Sequence, residues 1–148
     1  SYIFFQTAKQ RDDYAKKMRN VKRDVGSFAF HYHVGIALGF PKKSVMEYAK
    51  WRVVERKVGK YPEEERKRSI GVIWAGFFFI SYLDICVDEV RWMWETYHHP
   101  KAIENPLYLH SEHERFEIQY GDVKRLQEVR EYIMKERGLI PIHTKRLY

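Results

Sequence analysis

The sequence predicts an all-α protein: one long transmembrane helix with amphipathic helices on either side and irregular loops, rather than an independent globular fold. An apolar run from Ser69 to Val87 is interrupted by a single acid, Asp84. Its length is close to the roughly 20 residues that cross a bilayer. Cations border this run at one end and tryptophans at the other, and the charge of the chain changes sign where the run begins.

The net charge of +7 is distributed unevenly along the chain. Residues 1–68 contain 17 Lys and Arg against 8 Asp and Glu, whereas residues 69–148 contain 10 against 12. A protein that crosses a membrane once keeps its basic side on the inner face, and this distribution matches that rule. A soluble basic RNA- or ribosome-binding protein is the alternative from another class. Because that alternative does not explain the apolar run, we expect no nucleic-acid partner.

Residues 1–61 are predicted to form a basic amphipathic region. From Phe4 to Val25, apolar residues recur every three or four positions among lysines and arginines, which predicts a helix. The next segment, up to Pro41, has no charged side chain. Its three glycines favour a buried or interface-lying hairpin-like segment over a second span, which remains the alternative. Pro41 then begins a helix that Gly59 ends.

Residues 62–99 are predicted to form the long helix. Pro62 suits a first helical turn, and the three glutamates that follow it favour the positive end of the helix dipole. No further break is expected before Pro100. A helix of this length extends about 55 Å, so it should leave one layer and enter another. We place the transmembrane span at about residues 69–87.

The residues predicted to contact the membrane or a partner lie in the span and just beyond its two ends. Long cationic side chains can reach the headgroups from the end of a span, and aromatic rings favour the membrane interface. The residues predicted to contact the membrane or a partner are Arg66, Lys67, Arg68, Trp74, Asp84, Asp88, Trp92 and Trp94. Asp84 and Asp88 share a helix face with Glu95 and would dock on a neighbouring subunit. The alternative for Asp84 is a proton-relay or catalytic acid inside the membrane.

Region 100–148 is predicted to be a loop followed by one amphipathic helix. The helix runs from Asp122 to Arg137 and has an apolar stripe on one face. Gly138 follows as its cap. The stripe requires a partner surface.

One cluster of histidines is the candidate for a metal-binding site. His98, His99, His110 and His113 follow the span, and the last two would share a helix face. The sequence has no HExxH motif, and structural zinc sites built from histidine alone are uncommon, so surface histidines are preferred and metal binding is the alternative. The sequence also has no nucleotide-phosphate motif and no nucleophile elbow. We therefore expect no enzymatic activity and no cofactor.

The order of a basic half, one span and a histidine-bearing acidic segment resembles the single-span accessory subunits of mitochondrial respiratory-chain complexes. The stretch HSEHERFE, residues 110–117, resembles the segment that follows the span in a small cytochrome oxidase subunit family. The ending VREYIMKERGLIPI, residues 129–142, is similar to the closing helix of a single-span accessory subunit of NADH dehydrogenase.

This resemblance implies a non-catalytic subunit that stabilises or helps to assemble a respiratory complex of the mitochondrial inner membrane. Its partners would be other subunits of the complex and membrane lipids, with cardiolipin at the basic side. Residues 1–61 would lie in the matrix and residues 100–148 in the intermembrane space. An accessory subunit of mitochondrial ATP synthase or of a translocase is the alternative within the same class.

Overall fold

A computed structural model describes residues 3–21 and 23–139 of the chain. The chain divides into two compact units, Ser1–Pro62 and Glu63–Tyr148. The first unit contains α1 (Ala8–Val21), α2 (Phe28–Ala37) and α3 (Lys42–Val58). The second unit contains α4 (Glu63–Arg68), β1 (Ser69–Trp74), β2 (Phe77–Tyr82), α5 (Cys86–Thr96), α6 (Pro100–Ile103), β3 (Leu107–His110), β4 (Arg115–Ile118) and α7 (Val123–Glu136).

The helices of the first unit begin and end at residues with clear local roles. Ser27 caps α2, because its hydroxyl oxygen accepts a hydrogen bond from Phe30 N at 3.2 Å. A short turn with Gly39 at φ 80° leads into α3. Gly59, at φ 81°, ends α3 in the left-handed conformation that glycine adopts without strain. The predicted helices around residues 4–25 and from Pro41 to Gly59 are thus confirmed, the first with shorter bounds.

Helices α2 and α3 pack closely because small residues lie between them. A Cβ atom on Gly35 would lie 2.8 Å from both methyl carbons of Val45, so only glycine fits at this contact. Val45 and Ala49 are buried on the same side of α3. The hairpin-like segment expected before Pro41 is wrong, since most of that segment is helix α2.

The second unit is built on an antiparallel sheet with the strand order β2-β1-β3-β4. Strands β1 and β2 form a hairpin whose two-residue turn is Ala75-Gly76, at φ 47° and 90°. Positive φ at both turn residues is the type I′ geometry, which matches the twist of a hairpin. The turn between β3 and β4 is closed by a hydrogen bond from Ser111 N to Glu114 O at 2.9 Å.

The core of the second unit lies between one face of this sheet and helices α5 and α7. Alternate residues of β1 face this core, and the intervening residues face the other side of the sheet. The buried apolar residues include Ile70, Val72, Trp74, Val90, Met93, Leu107, Leu109, Ile118, Leu126 and Ile133. The predicted C-terminal helix is confirmed as α7, with Asp122 accepting a hydrogen bond from Arg125 N at 3.0 Å and Gly138 at φ 70°. The sheet face thus supplies the partner that its apolar stripe requires.

Cys86 lies at the start of α5 and is fully buried. Its Sγ lies 3.8 Å from Leu83 O. Burial raises the pKa of this thiol to about 12, because the low-dielectric core disfavours the thiolate.

The predicted long helix over residues 62–99 is wrong. This stretch contains α4, both strands of the first hairpin and α5. Within residues 3–21 and 23–139, no helix has the length and apolar character needed to cross a membrane. The all-α fold class, the transmembrane helix and the single-pass inner-membrane localisation are therefore wrong as well. The loop expected after Pro100 is also wrong, since α6, β3 and β4 precede α7.

The composition of the apolar run explains this difference. Its two halves, SIGVIW and FFFISY, consist largely of β-branched and aromatic residues, which favour strands. In the hairpin, each strand has six residues and buries one of its faces against helices. Because the other face is only partly exposed, its residues can be apolar too, and the sequence then lacks the alternation of apolar and polar residues that marks a strand.

Candidate functional site

The cations predicted at the membrane border are engaged in ion pairs within the second unit. They belong to α4 and its junction with β1 rather than to the end of a span. The pairs are Arg66 Nη2 with Glu112 Oε1 at 2.6 Å, Lys67 Nζ with Glu64 Oε1 at 3.6 Å, and Arg68 Nη1 with Asp84 Oδ1 at 3.0 Å. Asp84 is thus half-buried and paired with Arg68.

The predicted tryptophan contacts separate into core and surface. Trp74 is buried, and its Nε1 donates a hydrogen bond to Asn105 O at 3.1 Å. Trp94 is also buried, and its indole N–H has no hydrogen-bond partner among the residues the structure describes. Trp92 is 42% exposed on α5, and Asp88 is exposed in the first turn of the same helix.

The four histidines lie at two different clefts of the second unit. His98 and His99 line one cleft with Tyr97, and His99 Nδ1 accepts a hydrogen bond from the backbone of the following helix. His110 and His113 line another cleft of about 640 Å³ beside the β3–β4 turn. In the described ranges, no three His, Cys, Asp or Glu side chains converge in a way that could hold a metal ion.

Positive charge is concentrated in the first unit. Residues 1–62 contain 14 Lys and Arg against 5 Asp and Glu, whereas residues 63–148 contain 13 against 15. The first unit therefore carries a net charge of +9 and the second a net charge of −2. Because the charges of residues 63–68 cancel, the division between a positive and a slightly negative part of the chain also matches the boundary between the two units.

Three lysines recur every seven residues along α3. Lys43, Lys50 and Lys57 are all exposed, and we call them the lysine row. Seven residues are nearly two helical turns, so the three side chains lie on one face at steps of about 10.5 Å. The buried residues Val45 and Ala49 lie on the opposite face, which packs on α2.

The acids near the lysine row are bound to other side chains. Glu47 accepts a hydrogen bond from Trp51 Nε1 at 3.1 Å, and Glu55 pairs with Arg52. Within the described residues, no member of the lysine row forms an ion pair. Three cations on one helix face are thus available to an anionic ligand.

Asp24, in the loop before α2, is a further acid that contacts α3. It pairs with Arg56, and the hydrogen bond from this guanidinium lowers the pKa of the Asp24 carboxyl. This ion pair connects the loop before α2 to helix α3, and the Asp24 carboxylate is paired with Arg56 rather than with a lysine of the row.

Aromatic side chains lie beside several cations of α3. Lys50 Nζ lies 4.7 Å from the centroid of the Trp51 ring, which also packs against Tyr61. On another side of the helix, Tyr48 forms a T-shaped contact with His31, and the guanidinium of Arg52 lies over the Tyr48 ring. Flat rings next to cations are a common setting for nucleic-acid contacts, because bases stack on rings while cations meet phosphates.

Helix α1 adds further exposed cations to the same unit. Lys9, Lys16, Lys17 and Arg19 are exposed, and only Met18 of this helix is buried. Arg11 differs, since it pairs with Asp12. The first unit thus presents positive charge from two of its helices.

The sequence contained a signal for the lysine row that our interpretation did not use. The bounds of α3 were predicted correctly, and lysines at a spacing of seven on a helix share one face. The rule that basic charge stays on the inner face of a membrane concerns the number of cations in the basic half and not their arrangement on each helix.

A scan against protein-family models finds no match for this chain, and searches of curated proteins and of solved structures find none.

Proposed function

We propose that the protein binds nucleic acid through the phosphate backbone, with the lysine row of α3 as the central contact. The observation that carries this proposal is the set of three exposed lysines on one helix face without an acidic partner among the described residues. DNA and RNA share the phosphate chemistry, so the proposal concerns the backbone and assigns no base sequence. It assigns binding rather than catalysis.

Physical chemistry supports a row of cations in this role. A lysine that neutralises a phosphate releases a condensed counterion, which favours binding at low salt. Helices with basic faces commonly lie along a nucleic-acid backbone or enter a groove. The net charge of +9 on residues 1–62 would also increase the rate of encounter with a polyanion.

This proposal reverses our expectation that the chain has no nucleic-acid partner. That expectation depended on assigning the basic half to the inner face of a membrane. The accessory-subunit function depended on the same span, so we do not carry it further.

The proposal is tested by fluorescence anisotropy of labelled duplex DNA and single-stranded RNA with the full chain. The variant Lys43→Gln/Lys50→Gln/Lys57→Gln removes the lysine row. If each lysine contacts one phosphate, the slope of log K against log salt should decrease in magnitude by about 2 to 3. The measurement is a titration at several salt concentrations.

A matched control removes the same amount of charge from the second unit. Lys101, Lys124 and Lys135 are exposed there and form no ion pair within the described residues. The variant Lys101→Gln/Lys124→Gln/Lys135→Gln should keep the salt slope of the wild type. Equal losses in the two variants, or no binding by the wild type at low salt, would contradict the proposal.

A further inference from the structure

The two edges of the sheet in the second unit differ in composition. Strand β4 has four residues, and its exposed Arg115 and Glu117 hinder pairing with another strand. Strand β2 has six residues, FFFISY, with neither a charge nor a proline. An edge strand of this composition is a template for pairing with a further strand.

The backbone groups of β2 that point away from β1 include those of Phe78 and Ile80. Leu83 N donates to Arg68 O at 2.7 Å, so these two residues form a hydrogen-bonded pair at the end of the hairpin. Hydrogen-bonded and non-hydrogen-bonded pairs alternate in an antiparallel ladder, so Phe78 and Ile80 belong to pairs of the second kind. Among the described residues, no hydrogen bond from another element reaches their outward N–H and C=O groups.

The side chains of the same two residues form an apolar surface on the sheet face opposite α5 and α7. Phe78 is 57% exposed. Its ring lies over Gly71, where a Cβ would be 3.3 Å from Phe78 Cε2, and Gly71 is the partner of Ile80 across the hairpin. This face therefore has an uncovered aromatic side chain directly at the edge strand.

We propose that two copies of the chain pair antiparallel through β2 around a two-fold axis. A register centred on Phe79 places Phe78 of each copy opposite Ile80 of the other. The outward N–H and C=O groups of these residues then exchange hydrogen bonds, and each aromatic ring meets a β-branched side chain, which is a favourable cross-strand pair. Tyr82 lies outside this pairing, since its carbonyl accepts a hydrogen bond from Ile85 N at 3.0 Å.

A second copy fits this strand because β2 is complementary to itself. Pairing brings no charged residue against another, since the strand contains none. The combined sheet would have the order β4-β3-β1-β2-β2-β1-β3-β4. Only the short, charged β4 strands would then remain at its edges, so the assembly stops at two copies.

Sedimentation of the full chain without nucleic acid tests this proposal, which does not depend on nucleic-acid binding. The wild type should sediment with the mass of two chains at high concentration and dissociate on dilution. Phe78→Lys places a charge on the pairing edge and should give the mass of one chain at every concentration. The control Glu117→Lys places a lysine on the same face of the opposite edge strand and should keep the dimer.

Amide hydrogen exchange on the unmodified chain provides a second measurement. The amides of Phe78 and Ile80 should be protected at concentrations where two copies pair, and should lose that protection on dilution. A wild type that stays monomeric, an open-ended series of larger assemblies, or a dimer that survives Phe78→Lys would each overturn the proposal. If Phe78→Lys does not fold, the exchange of these two amides decides the question.

Discussion

At the scale of single residues, the protonation of His31 should make the stability of the first unit depend on pH. Burial lowers the pKa of its imidazole below the ordinary value of 6.5, and the positive charge of Arg52 lowers it further. The folded protein therefore favours the neutral ring, which forms a T-shaped contact with Tyr48. The unfolded chain binds a proton at His31 more readily than the folded chain does.

This shift predicts that stability decreases as the pH falls below about 6.5. The contribution of the neutral ring is complete above the unfolded pKa and is lost as the pH falls towards the folded pKa. We expect the wild type to lose more thermal stability than His31→Gln between about pH 7.5 and about pH 5. Circular dichroism melts of the two proteins at each pH measure the difference. Equal losses would show that His31 does not contribute.

Single residues also show why the candidate contacts could not all be predicted. Trp74 was interpreted as an interface aromatic from its place near cations, but it fills the core and its N–H is bound to Asn105 O. Arg68 and Asp84 were assigned to opposite ends of a span, although a hairpin brings them to 3.0 Å. Such contacts depend on chain reversal, which composition and flanking residues do not reveal.

At the scale of elements, the helices with local end signals were predictable, whereas the hairpin was not. Helices α3 and α7 have a glycine at the left-handed end position, and these signals act within a few residues. The hairpin turn is Ala75-Gly76 rather than the Asn-Gly or Asp-Gly pair that marks a type I′ turn. Since its first residue is not a usual turn residue, the run of apolar residues was interpreted as continuous.

The unusual turn predicts a stabilising substitution. Ala75 has φ 47°, a conformation that L-residues other than asparagine and aspartate rarely adopt. Ala75→Asn should therefore stabilise the protein by about 0.5 to 1 kcal/mol, measured as a higher urea midpoint. The control Ala75→Val should lower the midpoint, because a β-branched residue fits positive φ poorly. Identical midpoints for both variants would contradict this explanation.

At the scale of the whole molecule, the net positive charge belongs to the first unit and most of the hydrophobic core to the second. The second unit has its own sheet, two covering helices and most of the buried large side chains. The first unit has few buried residues among those described and a net charge of +9, whereas the second unit has a net charge of −2. The sequence showed the charge division but not its structural meaning, since a change of sign can mark either a membrane or a boundary between units.

This division predicts that a fragment of residues 63–148 folds cooperatively without the first unit. The fragment should keep the near-ultraviolet circular dichroism of its buried tryptophans and show one thermal transition. It should not bind nucleic acid at salt concentrations where the full chain binds. A fragment without near-ultraviolet signal, or one that retains the affinity of the full chain, would contradict the division of roles.

The buried position of Cys86 has a practical consequence for work on this protein. The chain contains one cysteine, and a pKa of about 12 leaves almost no thiolate at neutral pH. Thiol reagents should therefore not react with Cys86 in the folded protein. A cysteine introduced at any exposed position would be the single labelled site, so spectroscopic probes and cross-linkers can be attached without first removing the natural thiol.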